Sequence, residues 1–395
     1  MRVVYIFFLI AVLLGASGCW DRKELNEVSF VTGMALEKGE KYQYFLTVEV
    51  INAEEFGGET TQGNTGTITY TMEGDLIAEL NDKMNVGLTR DLNFSHTRVI
   101  VIDETLANEG IGPFLQFLER SAEFRNDFHL VISRGGKASD IIGTTYPIHR
   151  IPSIKMDEQF QTMEKEWGGY PDVRLTDFTS NITSDGRHPV AAAVTIQGNP
   201  EKGDDVDNNK QADLDAIVAL NGLSVFKDDK LIGFLNVEQA RDYLWTQDLK
   251  KTTLTATTPD GNYFAVRFFN SHTNIQTSYE NNRPQITIEL VLEGDIIATQ
   301  SKVPIDKLTR FKELEEEAKN EVEKKIKGTI AHVQEEYGVD IFGFGETMYR
   351  QHYQQFKPIK DNWDEEFKKA EIKVNAKVLL RRDGIRTRSF LEEME

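Results

Sequence analysis

Cys19 carries the one thiol of the chain. A lone thiol cannot close an internal disulfide, build a thiolate zinc site, or pair with a second cysteine in redox exchange. What remains open to it is modification or nucleophilic attack. The other reactive side chains fall into no working pattern. The histidines are scattered, with no His-Glu-x-x-His pair, and no Gly-x-Ser-x-Gly elbow presents a serine. SRGGKAS around Lys137 has the glycines of a phosphate turn. It lacks the earlier glycine, and Ala138 stands where a magnesium-binding hydroxyl is needed. DVDNNK from Asp205 offers oxygens at alternate positions, as a calcium loop does. Lys210 occupies its glycine position and Ala216 the place of its bidentate glutamate. A strand-to-helix turn and a solvated acidic loop are the readings for these two. With 64 acidic residues, neighbouring carboxylates arise by chance and do not mark general acid–base chemistry. The residues therefore indicate no catalytic, metal or cofactor site, and a binding or assembly role.

The position of Cys19 gives its thiol a use. Arg2 is followed by an apolar run from Val3 to Leu14 and by Gly15-Ala16-Ser17-Gly18. That order is a secretory signal peptide over residues 1–18, and the run is shorter than the roughly 20 residues needed to span hydrocarbon. Ala16-Ser17-Gly18-Cys19 resembles the bacterial lipobox, with Ala16 where leucine is preferred. In that motif the cysteine takes a diacylglycerol and becomes the first mature residue. An Ala-x-small ending also suits ordinary signal peptidase, which leaves Cys19 unmodified. With two acyl chains the tether is durable, where a single chain binds only marginally. Removing Arg2 with the leader takes the formal charge from −19 one unit lower, to −20. A body that negative opposes nucleic acid as a partner, and opposes anionic lipid unless it is tethered there.

The elements that follow alternate in period. VSFVTGMALEKGEKYQYFLTVEVIN reads as a hairpin around Lys38-Gly39-Glu40, and Gly57 to Thr67 as a polar, glycine-rich loop. Strand Thr67–Glu73, helix Asp75–Val86, strand Thr97–Asp103, helix Ile111–Phe124 and strand Phe128–Ser133 predict a layered α/β unit. YPIHRIPS interrupts it. Helices over Ile154–Trp167 and Val173–Thr183 and a strand over Val190–Gln197 come next. The acidic stretch 199–213 reads as a linker. Beyond it lie a hairpin around Lys227-Asp228-Asp229-Lys230 and a helix Val237–Trp245 capped by Asn236. Three alternating strands then form an antiparallel meander with one wet face. From Asp306 to Tyr337 apolar residues recur at helical period, giving a long helix across that sheet. The chain ends in a strand, an Asp383-Gly384 turn and a return strand.

The expected fold class is α+β and multidomain. N-terminal α/β layers fill 19–198, with a break near 143–152 that would divide them in two. A C-terminal domain over 214–395 packs an antiparallel sheet against the long helix. Arg381 to Arg388 reads as one basic strand face, and Gly338 to Tyr353 as a buried, glycine-rich connector rather than a docking patch.

Four stretches carry a family resemblance. CWDRKELNEVSFVTG (Cys19, Trp20, Asp21, Glu24, Leu25, Asn26, Glu27, Thr32, Gly33), VRLTDFTSNITSDGRHPV, LNGLSVFKDDKLIGFLNVEQARDYLW, and YGVDIFGFGETMYR through Trp363 and Phe367 are similar, in order, to the Ger(x)C spore germination lipoproteins. The last stretch aligns Asp340, Phe342, Gly343, Phe344 and Gly345. Ala16 is the main departure. The resemblance implies the non-catalytic C subunit of a nutrient germinant receptor. It would be anchored through Cys19 on the outer face of the spore inner membrane and assembled with a polytopic A subunit and a transporter-like B subunit. It implies no cofactor, and at most an indirect relation to a small-molecule germinant. A solute-binding lipoprotein would need two similar lobes, and a lipid-anchored hydrolase a nucleophile; the sequence displays neither.

Overall fold

A computed structural model describes residues 27–53, 64–249, 251–301 and 308–381. Cys19, the leader, most of the glycine-rich loop and the Asp383-Gly384 turn lie outside the described residues.

The first sheet takes its centre from short strands with apolar interiors. β5 (Val99–Asp103) and β6 (His129–Ser133) are buried on both faces, as strands of a parallel layer must be. They lie between β1 (Val28–Lys38) and β7 (Val190–Gly198), and all four run parallel. β2 (Tyr44–Ile51) and β3 (Thr67–Gly74) add antiparallel beyond β1, and β8 (Ala216–Lys227) and β9 (Lys230–Leu235) beyond β7. β4 (Asp91–Asn93) pairs with the first residues of β1. The order is β3-β2-β1-β5-β6-β7-β8-β9. Gly33 in β1 has no room for a Cβ, which would fall 1.9 Å from the Ser153 hydroxyl.

This sheet runs on through the acidic stretch expected as a linker. Residues 199–213 connect two paired strands, β7 and β8, and the sheet therefore extends to Leu235. Composition suggested solvation there, but Asn208 is fully buried. Its side chain donates to the carbonyls of Thr145 and Ala216 and accepts from Ala216 N, stitching the segment down.

The second sheet holds β10 (Thr252–Thr257), β11 (Tyr263–Glu280), β12 (Arg283–Thr299) and β13 (Glu371–Leu380). Asn281 and Asn282, both left-handed, turn β11 into β12. The helix Leu308–His332 crosses one face, and Leu314, Ala318, Val322, Ile326 and Ile330 line its buried side. Its last turn winds wider over Val333–Tyr337 and ends at Gly338 with φ 65°. The first three strands are antiparallel as expected; β13 instead pairs parallel to β12, from Gln285↔Glu371 to Gly294↔Leu380. The reason is the crossover: a helix running back along the sheet returns the chain to the end where β12 began. One apolar cluster joins both sheets, from Phe114 and Phe178 through Phe226 and Trp245 to Phe268, Phe344 and Val322.

Candidate functional site

Three of the family-like stretches converge where the two sheets meet. The centre is Asp340, fully buried in the connector after the long helix. One carboxylate oxygen accepts from the amides of Phe342 and Gly343, each at 2.9 Å. The other accepts from Gly345 N at 2.8 Å and the Trp363 indole at 2.9 Å. Burial raises its pKa, against the pull of the Gly345 amide, the Trp363 indole, the Gly343 amide and the Arg187 guanidinium. Gly343 takes φ 79°, the left-handed region that favours glycine. A Cβ on Gly345 would lie 2.6 Å from the Trp363 ring and 2.7 Å from the Gly186 Cα, so the two backbones touch. Glu346 N donates to Gly186 O, and His188 N to Asp340 O.

Arg187 threads the joint. Its guanidinium donates to the Tyr243 hydroxyl at 3.0 Å and to Gln247 Oε1 at 2.8 Å, while Gln247 Nε2 donates to Phe342 O. His188 Nδ1 accepts from Asp228 N, which leaves Nε2 to donate to Asp364 Oδ1 at 2.9 Å. Lys227 Nζ donates to the other Asp364 oxygen at 2.8 Å. Burial alone would raise the Asp364 pKa; His188 and Lys227 hold it below its usual range. Phe342 and Phe344 stack at 5.2 Å and lean on Phe367. Apart from the buried Arg187 Nε, which has no partner, the polar groups named here are engaged by the chain itself, and they fix the two sheets together.

The other residues singled out by sequence are placed as follows. Two amides of the SRGGKAS turn are taken by the chain's own carboxylates: Gly135 N donates to Glu104 and Ser139 N to Glu37. In DVDNNK, Asp205 caps a short turn by accepting from Asp207 N. Among the described residues no group of three His, Cys, Asp or Glu stands ready for a metal. Gly338–Tyr353 is a connector whose Ile341, Phe342, Phe344 and Met348 are buried. Arg381 pairs with Glu293; the remainder of the basic run lies outside the described residues.

Two buried polar clusters had no sequence signature. His129, fully buried in β6, holds Asp157 on Nε2 at 2.7 Å; Nδ1 lies 2.5 Å from the Tyr170 hydroxyl and 3.3 Å from Asp172. Burial would depress its pKa, but the two carboxylates prevail and raise it. On β2, Glu49 accepts from the Ser153 hydroxyl and amide, and burial pushes its pKa up to about 7. Lys155, two residues further along that helix (Pro152–Glu166), is brought down to about 8 by burial; it donates to Val218 O and lies 4.5 Å above the Tyr146 ring. Each cluster draws residues from elements distant in sequence, so no spacing announces it.

Comparison with known proteins gives this arrangement its context. Residues 21–196 match the spore germination protein N-terminal domain, and residues 221–384 match the spore germination B3/GerAC-like C-terminal domain. The chain is 28% identical to spore germination protein KC of Bacillus subtilis (strain 168), over 96% of each chain. It is 23% identical to spore germination protein B3 of the same organism, over 93% of this chain and 94% of that one. The crystal structure of the GerBC protein superposes with a TM-score of 0.56 at 20% identity, covering 91% of this chain and 99% of that chain, and shares the fold. The three stretches that meet at Asp340 are thus contacts within and between the two matched regions. The chain belongs to the Ger(x)C family of spore germination proteins, the C subunits of germinant receptors.

Proposed function

We propose that this chain is a lipid-anchored, non-catalytic C subunit, tethered through Cys19 at the outer face of the spore inner membrane. There it would assemble with polytopic A and B subunits for nutrient-triggered germination. The observation that carries this reading is the end-to-end match to germination proteins. Glu27, just before β1, lies eight residue steps after Cys19. At about 3.5 Å per residue they reach no more than about 28 Å, which would hold the starting end of β1 close to the bilayer. β5, β6 and β7 begin at that same end, and His188 and the β8–β9 turn lie beside it. The tether would therefore present the joint to integral partners, and confinement would raise their effective concentration.

Replacing Cys19 with Ala tests the anchor. The variant is expected to leave the membrane fraction and to cripple the nutrient response. Normal membrane-bound levels and normal germination would contradict the reading.

A second reading, capture of a small nutrient, is favoured by one feature. An open groove of about 540 Å³ lies between the helices Gly112–Arg120 and Leu175–Ile182, with Gln116, Glu119, Thr176, Thr179 and Asp228 on its walls. Titrating the soluble body with amino acids and sugars separates the two. A thermal midpoint that climbs with ligand concentration supports capture, and a flat response supports the assembly role.

A further inference from the structure

We propose that the outer edge of β3 is a docking edge for an extended, basic-tipped segment of another polypeptide, which adds to the first sheet as an antiparallel strand.

Besides the three-residue β4, paired only to β1, the sheets end at four edge strands: β3, β9, β10 and β13. An edge strand presents alternate unpaired N–H and C=O groups, and folded proteins close such edges with charges, bulges or covering elements. Three of the four are closed by specific contacts. On β13, Ala376 N donates to Glu323 and Leu380 N to Glu315, at 2.8 and 2.9 Å, both carboxylates reaching over from the long helix. On β9, the Tyr337 hydroxyl donates to Phe234 O at 2.9 Å, and its ring lies so close that a Cβ on Gly233 would be 2.3 Å away. On β10, the Arg241 guanidinium donates to Thr253 O at 3.2 Å, and the Thr252 hydroxyl donates to Trp167 O.

Arg150 packs against Gly66 just ahead of β3, and among the described residues no side-chain hydrogen bond reaches the main chain of Thr67 to Met72. Its sequence also lacks a guard: Thr67 to Met72 reads Thr-Ile-Thr-Tyr-Thr-Met, with no charge and no proline. Ile68 is 47% exposed, and Thr69 and Thr71 are exposed on the opposite face. An incoming strand would therefore match apolar side chains to Ile68, Tyr70 and Met72, and small or hydroxylated ones to the threonines.

The far end of the edge sets the charge. A small pocket of about 140 Å³ there is walled by Tyr42, Glu73, Gly74, Asp75, Leu80 and the Glu79–Lys83 ion pair, so the acids open to an incoming cation are Glu73 and Asp75. Lys41 N and Tyr42 N donate to Glu73, and Gln43 N to Asp75, so these carboxylates are fixed in place and each keeps a second oxygen free of those bonds. The amides hold the Glu73 carboxyl below its usual range. An antiparallel partner brings its N-terminal end to this pocket, where a lysine or arginine side chain fits. The chain's formal charge of −19 opposes a second copy as the occupant.

The test is amide hydrogen exchange on the folded chain, with and without the capped synthetic peptide KTVTVTV. The peptide is expected to slow exchange of the outward-facing β3 amides by about tenfold or more at saturation. The same peptide methylated on alternate backbone nitrogens, and one with glutamate in place of its lysine, should protect weakly or not at all. Thr69→Lys, which places a gatekeeper on the edge, should abolish protection with an unchanged thermal midpoint. The proposal is overturned if the peptide protects nothing, if the methylated peptide protects equally, or if the outward amides are already protected in the free chain. Light scattering that finds a dimer abolished by Thr69→Lys would assign the edge to a second copy instead, and would equally overturn it.

Discussion

Asp340 shows what the family-like residues accomplish. A buried carboxylate is costly unless it is fully hydrogen-bonded, and here four donors converge on two oxygens. Those donors exist only because Gly343 accepts a left-handed backbone and Gly345 tolerates contact with Gly186 and Trp363. Gly345→Ala forces overpacking against backbone and indole together. It is expected to destabilise the fold by about 1–3 kcal/mol, measured by denaturant unfolding. Glu49 makes a second prediction, this one in pH. Its folded pKa of about 7 stands above the ordinary carboxyl value of 4.5, so the folded state holds its proton more tightly than the unfolded chain. Stability should fall as pH rises from 4.5 to 7 and level off above that, by an order of about 3 kcal/mol from this group. Glu49→Gln should flatten that interval in a thermal-midpoint profile; an unchanged slope would assign the dependence to other groups.

Among the elements, periodic pattern carried far and pairing partners did not. The helix Leu308–His332 was legible because its apolar residues recur every three to four positions, and the helix Val237–Trp245 because Asn236 and Gln239 form a reciprocal cap. β13 was legible as a strand, but its parallel placement depends on where the preceding helix delivers the chain. No local period encodes that. The stretch 199–213 misled because composition reports average polarity, while one buried asparagine with three main-chain bonds decides the packing. The joint was half legible: its glycines and aromatics stood out, whereas Arg187, His188 and Asp364 gain meaning only when stretches over 150 residues apart meet. One prediction belongs at this scale. Glu315 and Glu323 occupy amides of the β13 edge, so the double substitution to Ala should free that edge. Self-association with retained helical content is the expected result in size-exclusion and circular dichroism; a monomer would show that the helix alone shields it.

At the scale of the whole molecule, an acidic body whose buried polar clusters are held mostly by its own groups is suited to holding a shape beside other proteins. The two sheets share one apolar cluster and a hydrogen-bonded joint, so a force applied at either sheet is transmitted to the other. The proposed tether would supply what the body's charge would otherwise deny, a residence at an anionic surface. The measurement that tests this most directly is the mass of the mature N-terminal peptide from protein purified from spore membranes. The account predicts a chain that begins at Cys19 with diacylglycerol on its sulfur. A mature N-terminus elsewhere, or Cys19 present with a free thiol, would contradict it.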